Sequence, residues 1–321
     1  MRSVVMTEPG GPQVLKVVDG PEPIPGPGDV LVEVAAAGVN FMDIGVRRGA
    51  LGHVDVPKVL GVEGAGRVLA AGSDVRAFRP GDRVAWVYAP GSYAERIVIP
   101  ADSLVPLPAE IGFVTATSVM MQGLTAMHFA LFFHQTRPDE VAFVHAAAGG
   151  VGQLLTQLIK LKGGKVIGRV SSPSKVGAAI NAGADHVIVD DGDGFAGEVL
   201  SLTHGQGVDV VYDGSGPATF EGSVEILRRG GTLCWYGPVL GGPGSFDITS
   251  LPKSIKIGYA VYSDSVNTPE LLRARSQELF GYLSTGVLAA PPATEYALND
   301  AAQAHEALES RATTGKLVLI P

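Results

Sequence analysis

Two domains of the α/β class are expected from this chain: a β-rich one first, then a doubly wound parallel sheet. Three observations predict them. Up to about Pro108, short β-prone runs (VLVEVAAAGV, GRVLAAG, DRVAWVY) alternate with Gly and Pro clusters. After about Gly123, apolar strands alternate with helical segments, the signature of parallel strands joined by crossover helices. Within that half, residues 141–152 (VAFVHAAAGGVG) break from an apolar run into a glycine-rich turn and open an amphipathic helix reaching Lys160.

The strands of the second half read VAFVHAA, KVIGRVS, HVIVD, VDVVYDGSG and GTLCWYG, with a sixth apolar run at residues 255–262 expected at one edge. Between them lie GVGQLLTQLIKLKG, SKVGAAINAGA, FAGEVLSLTHG and TFEGSVEILRRG, each of helical length. The tail predicts helices over residues 269–285 and 299–310 and a closing strand over residues 316–320. That strand is expected to rejoin the first domain, because it would otherwise carry unpaired backbone groups. The domains are therefore 1–122 with 263–321, and 123–262.

With 321 residues, 46% of them hydrophobic and 17% charged, the chain can bury cores for two domains. A formal net charge of −8 supplies no basic patch for nucleic acid or an anionic membrane, so a small-molecule ligand is expected. The single Cys234 excludes an intrachain disulfide framework and fits a reducing cytoplasm. No signal peptide and no uninterrupted apolar stretch of bilayer length is evident. The 43 glycines fall between apolar runs and mark tight turns.

In the pattern G-x-G-x-x-G the three positions here are Ala147, Gly149 and Gly152. A missing side chain at the second lets backbone approach a pyrophosphate, and one at the third lets helix and strand pack closely. An ordinary strand-to-helix turn is the alternative. About 20 residues on, where an NAD-binding unit carries an acid for the ribose 2′-hydroxyl, the chain reads RVSSPSK (169–175). Arg169, Lys175 and two hydroxyls suit a 2′-phosphate, which favours NADP; alternatively both cations are solvated at a helix start. Asp190 and Asp191 after the third strand weigh against NADP.

The ordered set AGVNFMDIGVRRG (37–49), VLGVEGAGRV (59–68), RPGDRVAW, GSYAER, MQGLTA (121–126), HAAAGGVG, VDVVYDGSG and RATTGKLVLIP spans nearly the whole chain. It resembles the zinc-independent, zeta-crystallin-like quinone oxidoreductases of the medium-chain dehydrogenase/reductase superfamily. The resemblance implies a GroES-like catalytic domain interrupted by a Rossmann domain, with the active cleft between them. Zinc-dependent relatives carry a cysteine after the first glycine-rich bend and a histidine in a GHE triplet. Here those segments read Gly38-Val39-Asn40-Phe41-Met42-Asp43 and Gly61-Val62-Glu63, so no metal is expected. His128 and His134 lack metal spacing, and His145 reads as a packed strand residue.

Without a Lewis acid, acceptors that already stabilise added electron density are favoured: quinones and α,β-unsaturated carbonyls. The resemblance implies an NADPH-dependent quinone oxidoreductase acting by positioning, with no clear acid or base. It assigns Asn40 to the nicotinamide or acceptor and Thr125 to the cofactor. Gly149, Gly150, Val151 and Gly152 would meet the pyrophosphate, and Ser171 and Lys175 the 2′-phosphate. Gly214, Tyr236 and Gly237 would line the crevice, with Arg311 and Lys316 near the cofactor or simply at the surface. Three departures from relatives stand out: Gly45 in place of a tyrosine, which makes the cleft roomier; Asp190 in place of another tyrosine; and Pro238 after Tyr236-Gly237. An enone or alkenal reductase, a reductase domain of a biosynthetic pathway, and a non-enzymatic NADPH-binding protein are the alternatives. The run KIGYAVY predicts a homodimer through edge-strand pairing.

Overall fold

The computed structural model describes residues 1–237 and 244–321, so Pro238 lies outside the described residues. The chain forms two compact units: Met1–Met121 with Val266–Gly286 and Ala290–Pro321, and Gln122–Ser265 with Val287–Ala289.

The first unit begins with β1 (Arg2–Met6) and β2 (Leu15–Asp19), followed by the long β3 (Asp29–Val39) and α1 (Phe41–Arg47). Next come β4 (Lys58–Val59), β5 (Glu63–Ala71), β6 (Arg83–Val87), β7 (Arg96–Pro100) and β8 (Leu104–Pro106). Strands β2, β1 and β4 make a small sheet. The organising strand of the larger sheet is β3, whose VLVEVAAAGV sequence buries Val30, Val32, Val34, Ala36, Ala37 and Val39. It pairs antiparallel with β5, and its register shifts at Leu31/Val32 and Val34/Ala36. Such bulges add local twist. Its other edge is shared: β7 takes Asp29 to Glu33 and the chain's last strand takes Ala37 to Val39. Val4, Met6, Trp86, Tyr93, Leu104 and Leu319 fill the core, where the indole N–H of Trp86 donates to Ser92 Oγ at 2.9 Å.

Helix α2 (Phe113–Met127) runs on as a π-helical turn, His128–Phe133. Together Phe113–Phe133 pass as bilayer-length by length and composition alone, but Thr115, Thr117, Ser118, Gln122 and Thr125 interrupt the apolar run, and 83% of its most apolar window is buried inside the protein, as in a core helix.

The second unit alternates β9 (Val141–Val144), α3 (Gly150–Leu161), β10 (Lys165–Val170), α4 (Val176–Asn181), β11 (His186–Val189), α5 (Phe195–Leu202), β12 (Val208–Asp213), α6 (Phe220–Glu225), β13 (Leu227–Trp235) and β14 (Lys256–Tyr259). All neighbouring strands are parallel, in the order β11-β10-β9-β12-β13-β14. The order reverses direction between β9 and β12, the switch point beside which such sheets bind ligands. Phe143, Ile167, Phe195, Val211 and Leu233 pack one side of this sheet. β14 closes one edge with Ile257 and Tyr259 exposed.

The tail adds α7 (Pro269–Ser284), capped by Thr268 Oγ1 accepting from Leu271 N, then β15 (Ala293–Ala297), α8 (Ala301–Glu309) and β16 (Lys316–Ile320). Strand β16 lies between β15, to which it is parallel, and β3, to which it is antiparallel.

Candidate active site

Parallel topology carries most of the sequence-predicted residues of the second unit to one edge, the carboxyl ends of β9, β10, β12 and β13. After β9 the chain turns with Ala146 at φ +50°, and Gly149 N donates to Ala146 O at 2.8 Å. Gly149 is the N-cap of α3 and supplies no side-chain cap, and the helix has no acid in its first turn. Its leading N–H groups at Gly150, Val151 and Gly152 are thus presented with the positive end of the helix dipole. A Cβ at Gly152 would fall on the backbone of Ala146 and Ala147, so only glycine permits this close approach. At the next strand end, Lys175 Nζ donates to Ser171 Oγ at 2.9 Å, so the two residues assigned to a 2′-phosphate meet. Gly214 follows β12, and a side chain there would strike the ring of Tyr236, which also rests on Phe129 at 4.5 Å between ring centroids. Gly237 follows with φ +73°. Thr125 is buried near the end of α2.

Arg169 is not a solvated cation, nor is it aimed outward. Its Nε and Nη2 donate to Asp190 Oδ1 at 3.0 and 2.7 Å, Nη2 also reaches Gly192 O at 2.5 Å, and the guanidinium lies 5.1 Å over the Phe195 ring. Nη1 faces His145 Nδ1 at 3.3 Å. His145 is the packed residue the sequence suggested, edge-on to Phe143 and Phe195, with Nε2 2.9 Å from Ser223 Oγ. Ser223 donates onward to Asp213 Oδ2 at 2.7 Å, and Thr219 Oγ1 donates to the same carboxylate. Burial pulls the His145 pKa down to about 4, so it is neutral; with Nδ1 accepting from Arg169, its proton sits on Nε2. Serine, histidine and aspartate here form a fully buried polar string beneath the strand ends, with no access for a nucleophilic role.

In the first unit Asn40, Glu63 and Lys316 form one buried cluster. Lys316 Nζ donates to Asn40 Oδ1 and to Glu63 Oε2, both at 2.7 Å. Asn40 Nδ2 donates to Glu63 Oε2 at 3.0 Å, and Met121 N to Glu63 Oε1 at 2.7 Å. Lys316 is 2% exposed, so the surface alternative for it is excluded; its ammonium turns inward and fixes the Asn40 amide. Gly38 makes room, since a Cβ there would fall on Glu63 Oε2. Arg311, by contrast, is exposed with φ +56° just beyond α8.

Asn40 is also the N-cap of α1, where Asp43 Oδ2 accepts from Asn40 N at 2.9 Å, the return half of a capping box. That oxygen also accepts from Tyr93 Oη at 3.1 Å, and Tyr93 Oη in turn lies 3.1 Å from His305 Nε2. Arg47 Nη1 faces His305 Nδ1 at 3.2 Å, so Nε2 carries the imidazole proton and donates to Tyr93. Arg47 Nη2 then reaches Glu309 Oε1 at 2.6 Å. Burial lifts the Asp43 carboxyl to about 7, while burial and the neighbouring Arg47 charge bring His305 down to about 3. Sequence reasoning missed Glu63, Asp43, Tyr93, His305 and the Arg169–Asp190 pair as a group; the Asn-x-x-Asp spacing of the cap was the one local signal for any of them. Gly45 lies buried within α1. Among the described residues, no group of three or more His, Cys, Asp or Glu is placed to hold a metal ion.

A GroES-like β unit and a doubly wound dinucleotide-type sheet together define the medium-chain dehydrogenase/reductase class. A family model for the alcohol dehydrogenase GroES-like domain matches residues 26–109, and one for zinc-binding dehydrogenase matches residues 150–276. A quinone oxidoreductase of Pseudomonas aeruginosa is 39% identical over 317 residues, 97% of each chain. The crystal structure of Escherichia coli quinone oxidoreductase complexed with NADPH superposes with a TM-score of 0.96 at 35% identity, covering 100% of both chains. A 2-haloacrylate reductase of a Burkholderia species is 33% identical over 99% of this chain and 98% of its own. The chain belongs to the zeta-crystallin-like quinone oxidoreductase family, and it is an oxidoreductase.

Proposed function

We propose that this protein is an NADPH-dependent quinone oxidoreductase that reduces quinones, or related electron-poor acceptors, without a metal. The observation that carries the nucleotide choice is the Lys175–Ser171 contact at the end of β10, where an NAD-binding unit presents an acid. The strand ends fit the nucleotide: an uncapped, acid-free helix start lined by glycines suits a pyrophosphate.

In this reading Gly149, Gly150, Val151 and Gly152 bind the pyrophosphate through backbone N–H groups, and Ser171 and Lys175 bind the 2′-phosphate. Gly214, Tyr236, Gly237 and Thr125 line the crevice, and Arg311 takes part near the cofactor. Asn40 positions the nicotinamide or the acceptor. Lys316 and Glu63 act through it: each holds one end of the amide, which fixes its orientation. A reduced nicotinamide nucleotide supplies a hydride when bound. The polypeptide contributes position and polar contacts, with no covalent step. The domains in this reading are 1–122 with 263–321, and 123–262. A homodimer joined through β14 and a cytoplasmic location belong to the same reading, supported by the exposed Ile257 and Tyr259 on that edge strand and by the lone, buried Cys234.

Anaerobic mixing of the protein with NADPH and a panel of quinones and enones, followed by nicotinamide absorbance, tests the proposal. NADPH oxidation with at least one quinone is expected; none above background with any acceptor overturns it. The 2-haloacrylate reductase relative favours a second reading, reduction of an activated alkene, and a simple enone consistently faster than every quinone would select it.

A further inference from the structure

Of the two carboxylates after the third strand that weigh against an NADP site, Asp190 is the one held by Arg169. Its N–H donates to Val170 O at 2.9 Å, and Val170 is in register with Val189, so Asp190 lies beside Ser171 at the ends of two parallel strands. A carboxylate at this edge does one of two things when its oxygens are free: it accepts from a ribose 2′-hydroxyl, or it repels a 2′-phosphate. Here both oxygens already accept hydrogen bonds from the protein. Oδ1 takes Arg169 Nε, Arg169 Nη2 and Gly192 N, and Oδ2 takes Gly194 N at 3.1 Å.

Arg169 is itself held on every side. It spans Asp190 and Gly192 O, lies over Phe195, and is backed by the neutral His145. The guanidinium and carboxylate are 9% and 19% exposed, so water screens their attraction weakly.

We infer that the Arg169–Asp190 ion pair is a nucleotide-specificity device: Arg169 cancels the charge of Asp190 and turns its oxygens inward, which keeps the neighbouring edge acceptable to a 2′-phosphate. Arg169 is thus a positioning residue, acting through Asp190. The inference rests on the proposed NADPH reading, and it assigns to this pair a choice that Ser171 and Lys175 alone do not make. Released, Asp190 presents an uncompensated negative charge beside Ser171, where a 2′-phosphate would sit.

Three variants test it: Arg169→Met, which keeps the aliphatic stem on Phe195, Asp190→Asn, and the double substitution. Dissociation constants for NADPH and NADH are read by fluorescence titration, with circular dichroism and thermal melting to establish folding. Arg169→Met is expected to lower the NADPH-over-NADH preference by roughly tenfold or more, as for loss of a charge-assisted contact. Asp190→Asn keeps the wild-type preference or raises it. The double variant recovers most of the preference lost in Arg169→Met, because the liberated charge is gone. If Arg169→Met and the double variant lose the preference equally, or if Arg169→Met leaves it unchanged, the pair does not set the choice. Should Arg169→Met fail to fold, a fall in preference in Asp190→Asn overturns the inference by itself. A wild-type protein that prefers NADH, or binds neither nucleotide, instead overturns the NADPH reading.

Discussion

Asp43 and His305 sit at the two ends of a Tyr93 hydroxyl, and their acidities are displaced in opposite senses, which gives a prediction of opposite signs. The folded Asp43 pKa is raised from 3.8 to about 7, so its contribution to stability is complete below 3.8 and is lost as pH rises through 7. The folded His305 pKa is depressed from 6.5 to about 3, so its contribution is complete above 6.5 and is lost as pH falls toward 3. Between pH 4.5 and 6.5 the unfolded chain holds one proton on this pair, on the imidazole. The folded chain also holds one, on the carboxyl. The pair therefore contributes no pH slope in that window. Replacing either member exposes the other at about 1.4 kcal/mol per pH unit, or about 3 kcal/mol across two units. Relative to wild type, Asp43→Asn should lose stability as pH falls from 6.5 to 4.5, and His305→Gln should lose it as pH rises over the same range. Urea unfolding at several pH values measures both, and the comparison with wild type cancels the slopes of all other groups. Two flat differences, or two of the same sign, would refute the proton assignment.

Lys316→Met leaves Glu63 as a buried charge with only the Asn40 and Met121 contacts, and a loss of about 3–5 kcal/mol is expected by chemical denaturation. Adding Glu63→Gln to it should restore a large part; a single substitution costing under about 1 kcal/mol would mean that the pair is not sustained in solution. Charging the outer face of β14 with Ile257→Lys and Tyr259→Lys should turn a dimer into a monomer by light scattering, and a wild-type monomer would dispose of the edge-pairing proposal.

The repeating strands and helices of the second unit were readable because each is a local pattern: an apolar run, a glycine turn, an amphipathic stretch. The closing strand over residues 316–320 was readable in the same way. What lay beyond reach were pairings between distant residues. Nothing near Asn40 announces that its amide is held by Glu63, 23 positions on, and by Lys316, 276 positions on. Arg169 shows the same limit: in RVSSPSK it resembles a phosphate-seeking cation, and only the adjacency of two parallel strands reveals Asp190, 21 residues away, as its partner. Hydrophobic periodicity reports which face is buried, but it says nothing about which charges meet there.

Because β16 fits between β15 and β3, the larger sheet of the first unit cannot be completed until the ribosome has translated all of the second. The sheet is thus completed by a strand that is translated after the whole parallel sheet. The strands of the parallel sheet are all translated first, while one stretch of the β3 edge and the Glu63 carboxylate still lack the strand and the ammonium that seal them.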